Sequence, residues 1–192
     1  MAEINRKRKR LPQRIDLEKL IYPVFVVSGK GQKQRAPLMP GVFRFSVDSL
    51  IKEVGRLNSA GINKFLLFGV PERKTWNGAD AYKENSIVAI ALRALRQKFP
   101  DAIFITDICL CAYTAHGHCG IIPAGTKHIK RNETLSALLA MAAVHAAAGA
   151  DYVAPSAMAA GQVKAIRRTL DRAGFPDVGI MGYSAKFASN FY

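Results

Sequence analysis

Three cysteines and two histidines lie close together in one stretch of the chain, TDICLCAYTAHGHCG. Cys109, Cys111 and Cys119 have the spacing C-x-C-x7-C, and His116 and His118 lie between the last two cysteines. Thiolate sulfur is a ligand that zinc prefers, and three sulfurs leave a fourth tetrahedral position for water or substrate. The spacing therefore predicts a catalytic zinc site. The alternatives are a structural zinc site completed by one of the histidines, and cysteines that are simply buried.

A second candidate is Lys186 in the stretch MGYSAKFAS, the one charged residue after Asp177. Its apolar neighbours Phe187 and Ala188 would partly desolvate the amine and so favour the uncharged form. An uncharged amine can attack a carbonyl and form a Schiff base. A lysine whose ammonium group extends into solvent is the alternative.

Asp107 and Ser156 are candidates for polar groups beside the cysteines and the lysine. Asp107 precedes Cys109 in an apolar run, and Ser156 ends a later one. Because the carboxyl ends of parallel strands lie at the same edge of a sheet, both side chains are expected at that edge. Either residue could orient a substrate or move a proton, and a helix-capping or loop-ordering role is the alternative.

The elements that must position these residues alternate along the chain. Apolar runs of strand length are followed by stretches with helical spacing. The runs are nearly continuous in apolar character, which is typical of parallel strands covered on both faces. The predicted strands are Leu20–Val27, Lys64–Val70, Ala102–Cys109, Tyr152–Pro155 and Gly179–Ser184.

The predicted helices have recognisable ends. Ser46 and Asn132 are expected N-caps, and Gly61, Gly149 and Gly174 follow helices as C-terminal stops. The order βαβαβαβαβ predicts an α/β protein, either a doubly wound sheet or a (β/α) barrel. The segment Ser28–Pro40 is expected to be a loop beyond the first strand. The four predicted helices are Ser46–Ala60, Asn85–Phe99, Asn132–Ala148 and Gly161–Ala173.

Composition limits the class of protein. The chain has 192 residues, of which 49% are hydrophobic and 22% charged, so a globular domain is expected and a disordered chain is excluded. No apolar run reaches the roughly 20 residues of a membrane span, and no secretory signal is recognised. Three closely spaced cysteines favour a metal site or a reducing compartment over disulfides. We therefore expect a cytoplasmic protein.

The net charge of +14 raises the question of polyanion binding. Residues 1–14 hold six basic side chains and one acidic one, so they contribute +5 and leave +9 to the remainder. A like-charge run at a terminus is usually a solvated arm. Nucleic acid is not the expected partner, because the sequence has no stacking motif or zinc-finger spacing.

Several stretches resemble one enzyme family, porphobilinogen synthase, also called 5-aminolevulinate dehydratase. The resemblance runs from about residue 20 to the last residue and is most specific in the cysteine stretch and in YSAKFAS. The other matching stretches are LIYPVFV, MPGVFRFSVDSL, FLLFGVP, AYKENSIV, ETLSALLAMAAVHAAAGADYVAPS and the final GIMGYSAKFASNFY.

The resemblance implies a (β/α)8 barrel in a homo-oligomer that condenses two molecules of 5-aminolevulinate into porphobilinogen in heme biosynthesis, with loss of two waters. Lys186 resembles the first of two Schiff-base lysines, and Asp107 and Ser156 resemble active-site polar residues. His118 resembles a ligand of a second, looser metal site found in some members. Zn²⁺ is the expected cofactor, with Mg²⁺ a further candidate. Its ligands by resemblance are Cys109, Cys111 and Cys119.

The sequence also departs from the family's pattern. The second Schiff-base lysine and the arginines that hold a substrate carboxylate lie downstream of Lys186 in the family. Ala112, Ala157 and Ala160 stand where many relatives have acidic residues. We therefore expect a basic arm at residues 1–19 and, at residues 20–192, a partial barrel of about five βα units that needs another copy or a C-terminal complement. The alternative function is a catalytically impaired zinc-binding or assembly module.

Overall fold

A computed structural model describes residues 16–37 and 39–183 of the chain. Within these residues strands and helices alternate as the sequence predicts. The strands are β1 (Tyr22–Val27), β2 (Lys33–Arg35), β3 (Phe43–Phe45), β4 (Lys64–Val70), β5 (Ile103–Ile108), β6 (Tyr152–Pro155) and β7 (Gly179–Ile180). The α-helices are α1 (Val47–Ser59), α2 (Ile87–Lys98), α3 (Arg131–Ala147) and α4 (Gln162–Arg172).

All seven strands form one sheet in the order β2-β3-β1-β4-β5-β6-β7. Every neighbouring pair is parallel except β2 and β3, which are antiparallel. The α/β class and the parallel arrangement of the five predicted strands are therefore confirmed. In a parallel sheet the carboxyl ends of β5 and β6 lie side by side, and the register places Asp107 opposite Ala154.

The two faces of the sheet are covered to different extents in the described residues. Burial alternates along β4: Phe65 and Leu67 are fully buried, whereas Leu66 and Phe68 are only half-buried. Successive side chains of a strand point to opposite faces, so helices cover one face and leave the other partly open. The half-buried face is nonetheless apolar, and Phe25 of β1 stacks on Phe68 there with ring centroids 5.4 Å apart.

The segment predicted to be a loop, Ser28–Pro40, contains β2, and β3 follows it. The sequence of β2, Lys-Gln-Arg, is exposed and has no apolar pattern, which explains why it was not predicted. Backbone pairing with β3 creates this strand, and the ammonium group of Lys33 lies 4.7 Å from the ring centroid of Phe43. β3 in turn pairs with β1 at Phe25 and Val26.

The predicted helix ends are partly confirmed. Gly61 and Gly149 adopt positive φ angles of 91° and 102° directly after α1 and α3, as a left-handed C-terminal stop requires. Helix α1 begins directly after Ser46, but the Ser46 hydroxyl accepts a hydrogen bond from the Gln32 N–H instead of capping its own helix. Asn132 is not an N-cap, because α3 already begins at Arg131.

Arg96 of α2 connects the helix layer to the strands that carry the candidate site. Its guanidinium donates to the Asp151 carboxylate at 2.5 Å and to the Gly149 carbonyl at 2.8 Å. The same carboxylate oxygen of Asp151 accepts the Phe104 backbone N–H of β5 at 2.7 Å. One arginine therefore joins α2, β5 and the segment that leads into β6.

Among the described helices none is long and apolar enough to cross a membrane.

Candidate metal centre and active site

The three cysteines of the C-x-C-x7-C stretch come together at the carboxyl end of β5. Their Sγ atoms all lie within 4.8 Å of one another, and those of Cys109 and Cys111 are 3.3 Å apart. Cys109 is buried, whereas Cys111 and Cys119 are half-buried. The turn after β5 returns the chain so that Cys119 meets the first two thiols.

The donor set fits a metal ion. Tetrahedral zinc with Zn–S bonds of about 2.3 Å holds its sulfur ligands about 3.8 Å apart, so only small shifts would bring these thiols into place. In the described part of the chain, these three cysteines are the one cluster of at least three histidine, cysteine or acidic side chains close enough to share an ion. Three protein ligands leave a fourth tetrahedral position open, as in catalytic zinc sites.

The environment of Cys109 favours the protonated thiol when no cation is nearby. Hydrogen bonds with the thiols of Cys111 and Cys119, followed by burial, raise the pKa of Cys109 well above its ordinary value. A bound metal ion reverses this preference, because its charge stabilises the thiolate.

The two histidines of the stretch are held outside the thiol cluster. His116 Nδ1 accepts the His118 backbone N–H at 3.1 Å, and His116 Nε2 lies 3.2 Å from the Trp76 carbonyl, to which it donates in this tautomer. His118 Nδ1 accepts the Gly120 N–H at 3.0 Å. The alternative of a structural zinc site completed by a histidine is therefore not supported by this geometry. The second-site role of His118 stays a prediction.

The cysteine stretch is fixed by the segment that follows β4. The Thr75 N–H donates to the Tyr113 carbonyl at 3.0 Å, and the Ala115 N–H donates to the Thr75 carbonyl at 2.9 Å. The Thr114 hydroxyl donates to the His118 carbonyl at 2.8 Å. Two backbone hydrogen bonds and one from a threonine side chain thus hold the turn between the second and third cysteines.

Asp107 and Ser156 meet at the same edge of the sheet, as predicted. The Ser156 hydroxyl donates a hydrogen bond of 2.6 Å to Asp107 Oδ1, and both side chains are half-buried. The backbone N–H of Ser156 also donates to the Ile108 carbonyl at 3.3 Å, which extends the β5–β6 pairing to this position. Asp107 stands two residues before Cys109, so the pair and the cysteine cluster are both at the carboxyl end of β5.

The remaining positions singled out in the sequence are three alanines and Lys186. Ala157 and Ala160 line a cavity of about 500 Å³ that also contacts Cys119, His118 and Arg131. Ala112 packs against the hydrophobic cluster around α3. Lys186 and the end of the last predicted strand lie outside the described residues.

Sequence reasoning did not single out Tyr113, which stands between the second and third cysteines. Its ring is 2% exposed. Burial first, and then the charge of Asp107, raise the pKa of Tyr113 above its ordinary value. The one indication in the sequence was its position inside the cysteine stretch.

The chain matches known proteins over almost its whole length. The family model described as "Delta-aminolevulinic acid dehydratase" matches residues 3–192. A relative of that name from Methanothermus sociabilis is 49% identical over 190 residues, which cover 98% of this chain and 58% of the relative. One from Ruminiclostridium josui is 41% identical over 190 residues, which cover 99% of this chain and 91% of the relative.

A solved structure is also similar. The crystal structure of delta-aminolevulinic acid dehydratase (porphobilinogen synthase) from Toxoplasma gondii, in complex with the reaction product porphobilinogen, superposes with a TM-score of 0.89 at 36% identity. The match covers 100% of this chain and 57% of that chain.

These similarities confirm the expected (β/α)-barrel type of fold, that of a lyase family of tetrapyrrole biosynthesis. The chain belongs to the delta-aminolevulinic acid dehydratase family. It spans little more than half the length of most of the relatives it matches.

Proposed function

We propose that the chain acts in the condensation of two molecules of 5-aminolevulinate to porphobilinogen, with release of two waters. The observation that carries this proposal is that the cysteine cluster directly follows β5, while the Ser156–Asp107 hydrogen bond joins the carboxyl ends of β5 and β6. The family supports this class of reaction, because the similar proteins are named delta-aminolevulinic acid dehydratase and the similar solved structure contains porphobilinogen.

We propose that the metal ion is Zn²⁺, held by the thiolates of Cys109, Cys111 and Cys119. Sulfur ligands favour zinc over Mg²⁺, which prefers oxygen. When bound, zinc would supply a Lewis acid at the edge of the sheet where the substrate is expected. A second metal site at His118 and a role for Mg²⁺ remain parts of the proposal that rest on the family resemblance alone.

The Asp107 carboxylate and the Ser156 hydroxyl are proposed to orient substrate and to hold a transferable proton. Because the hydroxyl donates to the carboxylate, the Ser156 oxygen keeps lone pairs that can accept a proton from a substrate amine or hydroxyl. The Asp107 carboxylate can also accept a proton from substrate. Half-burial strengthens these hydrogen bonds relative to water while leaving the groups within reach of substrate.

Lys186 is proposed as the residue that forms a covalent bond with 5-aminolevulinate. The uncharged Nζ attacks the ketone carbon, the carbonyl oxygen leaves as water, and a C=N bond replaces the C=O bond. This role rests on the resemblance of YSAKFAS to the family.

The half-open apolar face of the sheet supports a further proposal, that another polypeptide covers it. Phe25, Leu66 and Phe68 lie on this face and are only half-buried. A second copy of the chain or a C-terminal complement would remove this surface from water. We also propose a reducing, cytoplasmic location, because the three cysteines must stay reduced to bind zinc.

Imine formation is the step to test. The full chain is incubated with zinc and 5-aminolevulinate, sodium borohydride is added, and the protein is digested and analysed by mass spectrometry. Hydride reduction of the C=N bond leaves a stable secondary amine, expected on Lys186 and absent from Lys186→Ala. The matched control is Lys164→Ala, because Lys164 is an exposed lysine of α4. A chain that binds zinc but gives no adduct would support the assembly-module alternative instead.

A further inference from the structure

The cavity of about 500 Å³ beside Cys119 is lined by residues from the first turns of α3 and from the segment that follows β6. Its volume is within the range of small-molecule sites. Neither Asp107 nor Ser156 lines it. Among the described residues that do, Arg131 is the one lysine, arginine, aspartate or glutamate.

Arg131 supplies a positive charge with which no described acidic side chain pairs. The residue is exposed and forms no ion pair within the described part of the chain. Glu133, two positions further along α3, lines a different cavity. Residues 127–131, which lead into α3, include three basic side chains and no acidic one. The electrostatic environment of the cavity therefore favours an anion.

Apolar side chains form much of the remaining lining and restrict the kind of anion. Ile129 is 43% exposed and Met158 is 48% exposed, and Leu135 is half-buried. A hydrocarbon chain lying against these side chains would remove them from water, which an inorganic anion would not do. A guanidinium group pairs with both oxygens of a carboxylate through two parallel N–H···O hydrogen bonds. The lining as a whole thus suits a carboxylate that carries a short hydrocarbon chain.

We propose that this cavity binds a short-chain carboxylate. The guanidinium of Arg131 donates to the carboxylate, and the methylene groups of the ligand lie against Ile129, Leu135 and Met158. Such a ligand can be a free carboxylic acid or 5-aminolevulinate, whose carboxylate also ends a short chain. Binding requires neither an imine nor catalysis, so the inference does not depend on the proposed function.

Pentanoate is the probe, because it has the carboxylate and the chain but neither a ketone nor an amine. It is titrated into the zinc-loaded full chain by isothermal titration calorimetry. Pentanamide, which lacks the charge, and acetate, which lacks the chain, are titrated for comparison. We expect pentanoate to bind at least tenfold more tightly than either. An affinity for pentanoate that only equals that for pentanamide or for acetate overturns the proposal.

Arg131→Gln locates the carboxylate. The variant should weaken pentanoate binding at least tenfold and leave pentanamide binding unchanged. The matched control is Lys130→Gln, which loses the same charge one residue away, at an exposed position that does not line the cavity. A carboxylate bound to the zinc ion alone would be insensitive to Arg131→Gln. Unchanged pentanoate affinity in this variant, or equal weakening in the control, therefore overturns the proposal.

Ala160 allows a test of the sign of the charge in the cavity, because it is an exposed lining residue. Ala160→Asp adds a carboxylate there, and like-charge repulsion should weaken pentanoate binding at least tenfold. Ala160→Asn adds a side chain of the same size without the charge, and should leave the affinity for pentanoate within about twofold of that of the wild type. Equal weakening by the two substitutions would contradict an anion site.

Titration of 5-aminolevulinate distinguishes the two sources of the ligand. The Lys186→Ala chain is used, because it lacks the amine proposed to form the imine. If Arg131→Gln in this chain weakens 5-aminolevulinate binding at least tenfold, the substrate occupies the site. If the affinity for 5-aminolevulinate is unchanged while that for pentanoate falls, the site accepts a free acid. Both results support a carboxylate site at Arg131.

Discussion

The hydroxyl of Ser156 donates a 2.6 Å hydrogen bond to the carboxylate of Asp107 across the carboxyl ends of β5 and β6. Ser156→Ala removes this donor while leaving the strand pairing in place. We expect the rate of borohydride-trapped adduct formation with 5-aminolevulinate to fall at least tenfold, because Asp107 and the substrate lose a positioning partner. Zinc content measured on the same sample should not change, and loss of zinc would show that the pair has a structural role instead.

The cysteine cluster makes a direct prediction about metal content. Cys109→Ser, Cys111→Ser and Cys119→Ser should each lower bound zinc, measured by atomic emission after gel filtration, from one ion per chain to a small fraction of that. His118→Ala is the control, because His118 lies outside the cluster of mutually close ligand atoms. Equal zinc loss in the His118 variant would mean that His118 fills the fourth coordination position of the zinc.

Gly69 of β4 lies close to the Tyr113 hydroxyl. Gly69→Ala places a methyl group against that hydroxyl and against Val88, so the free energy of unfolding should fall by about 1–3 kcal/mol. Gly55→Ala offers a matched control inside α1, where the added methyl group only reaches ordinary contact with Phe99. That variant should gain up to about 1 kcal/mol from helix propensity. Urea denaturation measures the free energy of unfolding of both variants. An unchanged value for Gly69→Ala would contradict the close contact with the Tyr113 hydroxyl.

Arg96 is expected to contribute to stability because its guanidinium donates to half-buried acceptors between α3 and β6. Arg96→Met keeps much of the aliphatic stem but leaves the Asp151 carboxylate and the Gly149 carbonyl without their donor. We expect a loss of about 2 kcal/mol in the free energy of unfolding. Arg93→Met is the comparison, because Arg93 makes a single exposed contact with the Glu84 carbonyl and should change stability by less than about 0.5 kcal/mol. Equal losses in the two variants would be inconsistent with this account.

His145 makes the stability of the fold depend on pH. Burial lowers the pKa of His145 to about 3 in the folded chain, from the ordinary value of 6.5. The unfolded chain therefore binds more protons as the pH falls below 6.5, so this contribution to stability is complete above that pH and is lost progressively toward pH 3.

From pH 6.5 to 5 the loss attributable to His145 is about 2 kcal/mol. His145→Leu should remove that part of the slope in urea denaturation at several pH values. His128→Leu, at an exposed position, should leave the slope unchanged. A wild-type slope retained by the His145 variant would assign the pH dependence to other groups.

The sequence was sufficient for the parts of the molecule that follow from local patterns and from the geometry of parallel sheets. The runs at β5 and β6 are apolar, Asp107 lies near the end of the first and Ser156 directly after the second, so their meeting could be predicted from the sequence. The same reasoning placed two thiols at the end of β5. The Schiff-base role of Lys186 stays a prediction.

The remainder depends on long-range backbone pairing that leaves no local pattern. β2 is polar and exposed, and it exists because Lys33 to Arg35 pair with β3. The hydrogen bonds that connect Thr75 with Tyr113 and Ala115 join segments almost forty residues apart, so the ordered turn around Tyr113 could not be predicted. The strand sequences are apolar on both faces, so they also do not show which face of the sheet the helices cover.

The backbone bonds from Thr75 to the cysteine turn also bear on how the metal ion is acquired and released. In small zinc domains the ion drives folding, and its removal unfolds the chain. Here hydrogen bonds within the chain also hold the turn, so we expect the fold to depend less on a bound ion than a small zinc domain does. Treatment with a strong chelator should therefore strip the centre and leave the far-ultraviolet spectrum intact.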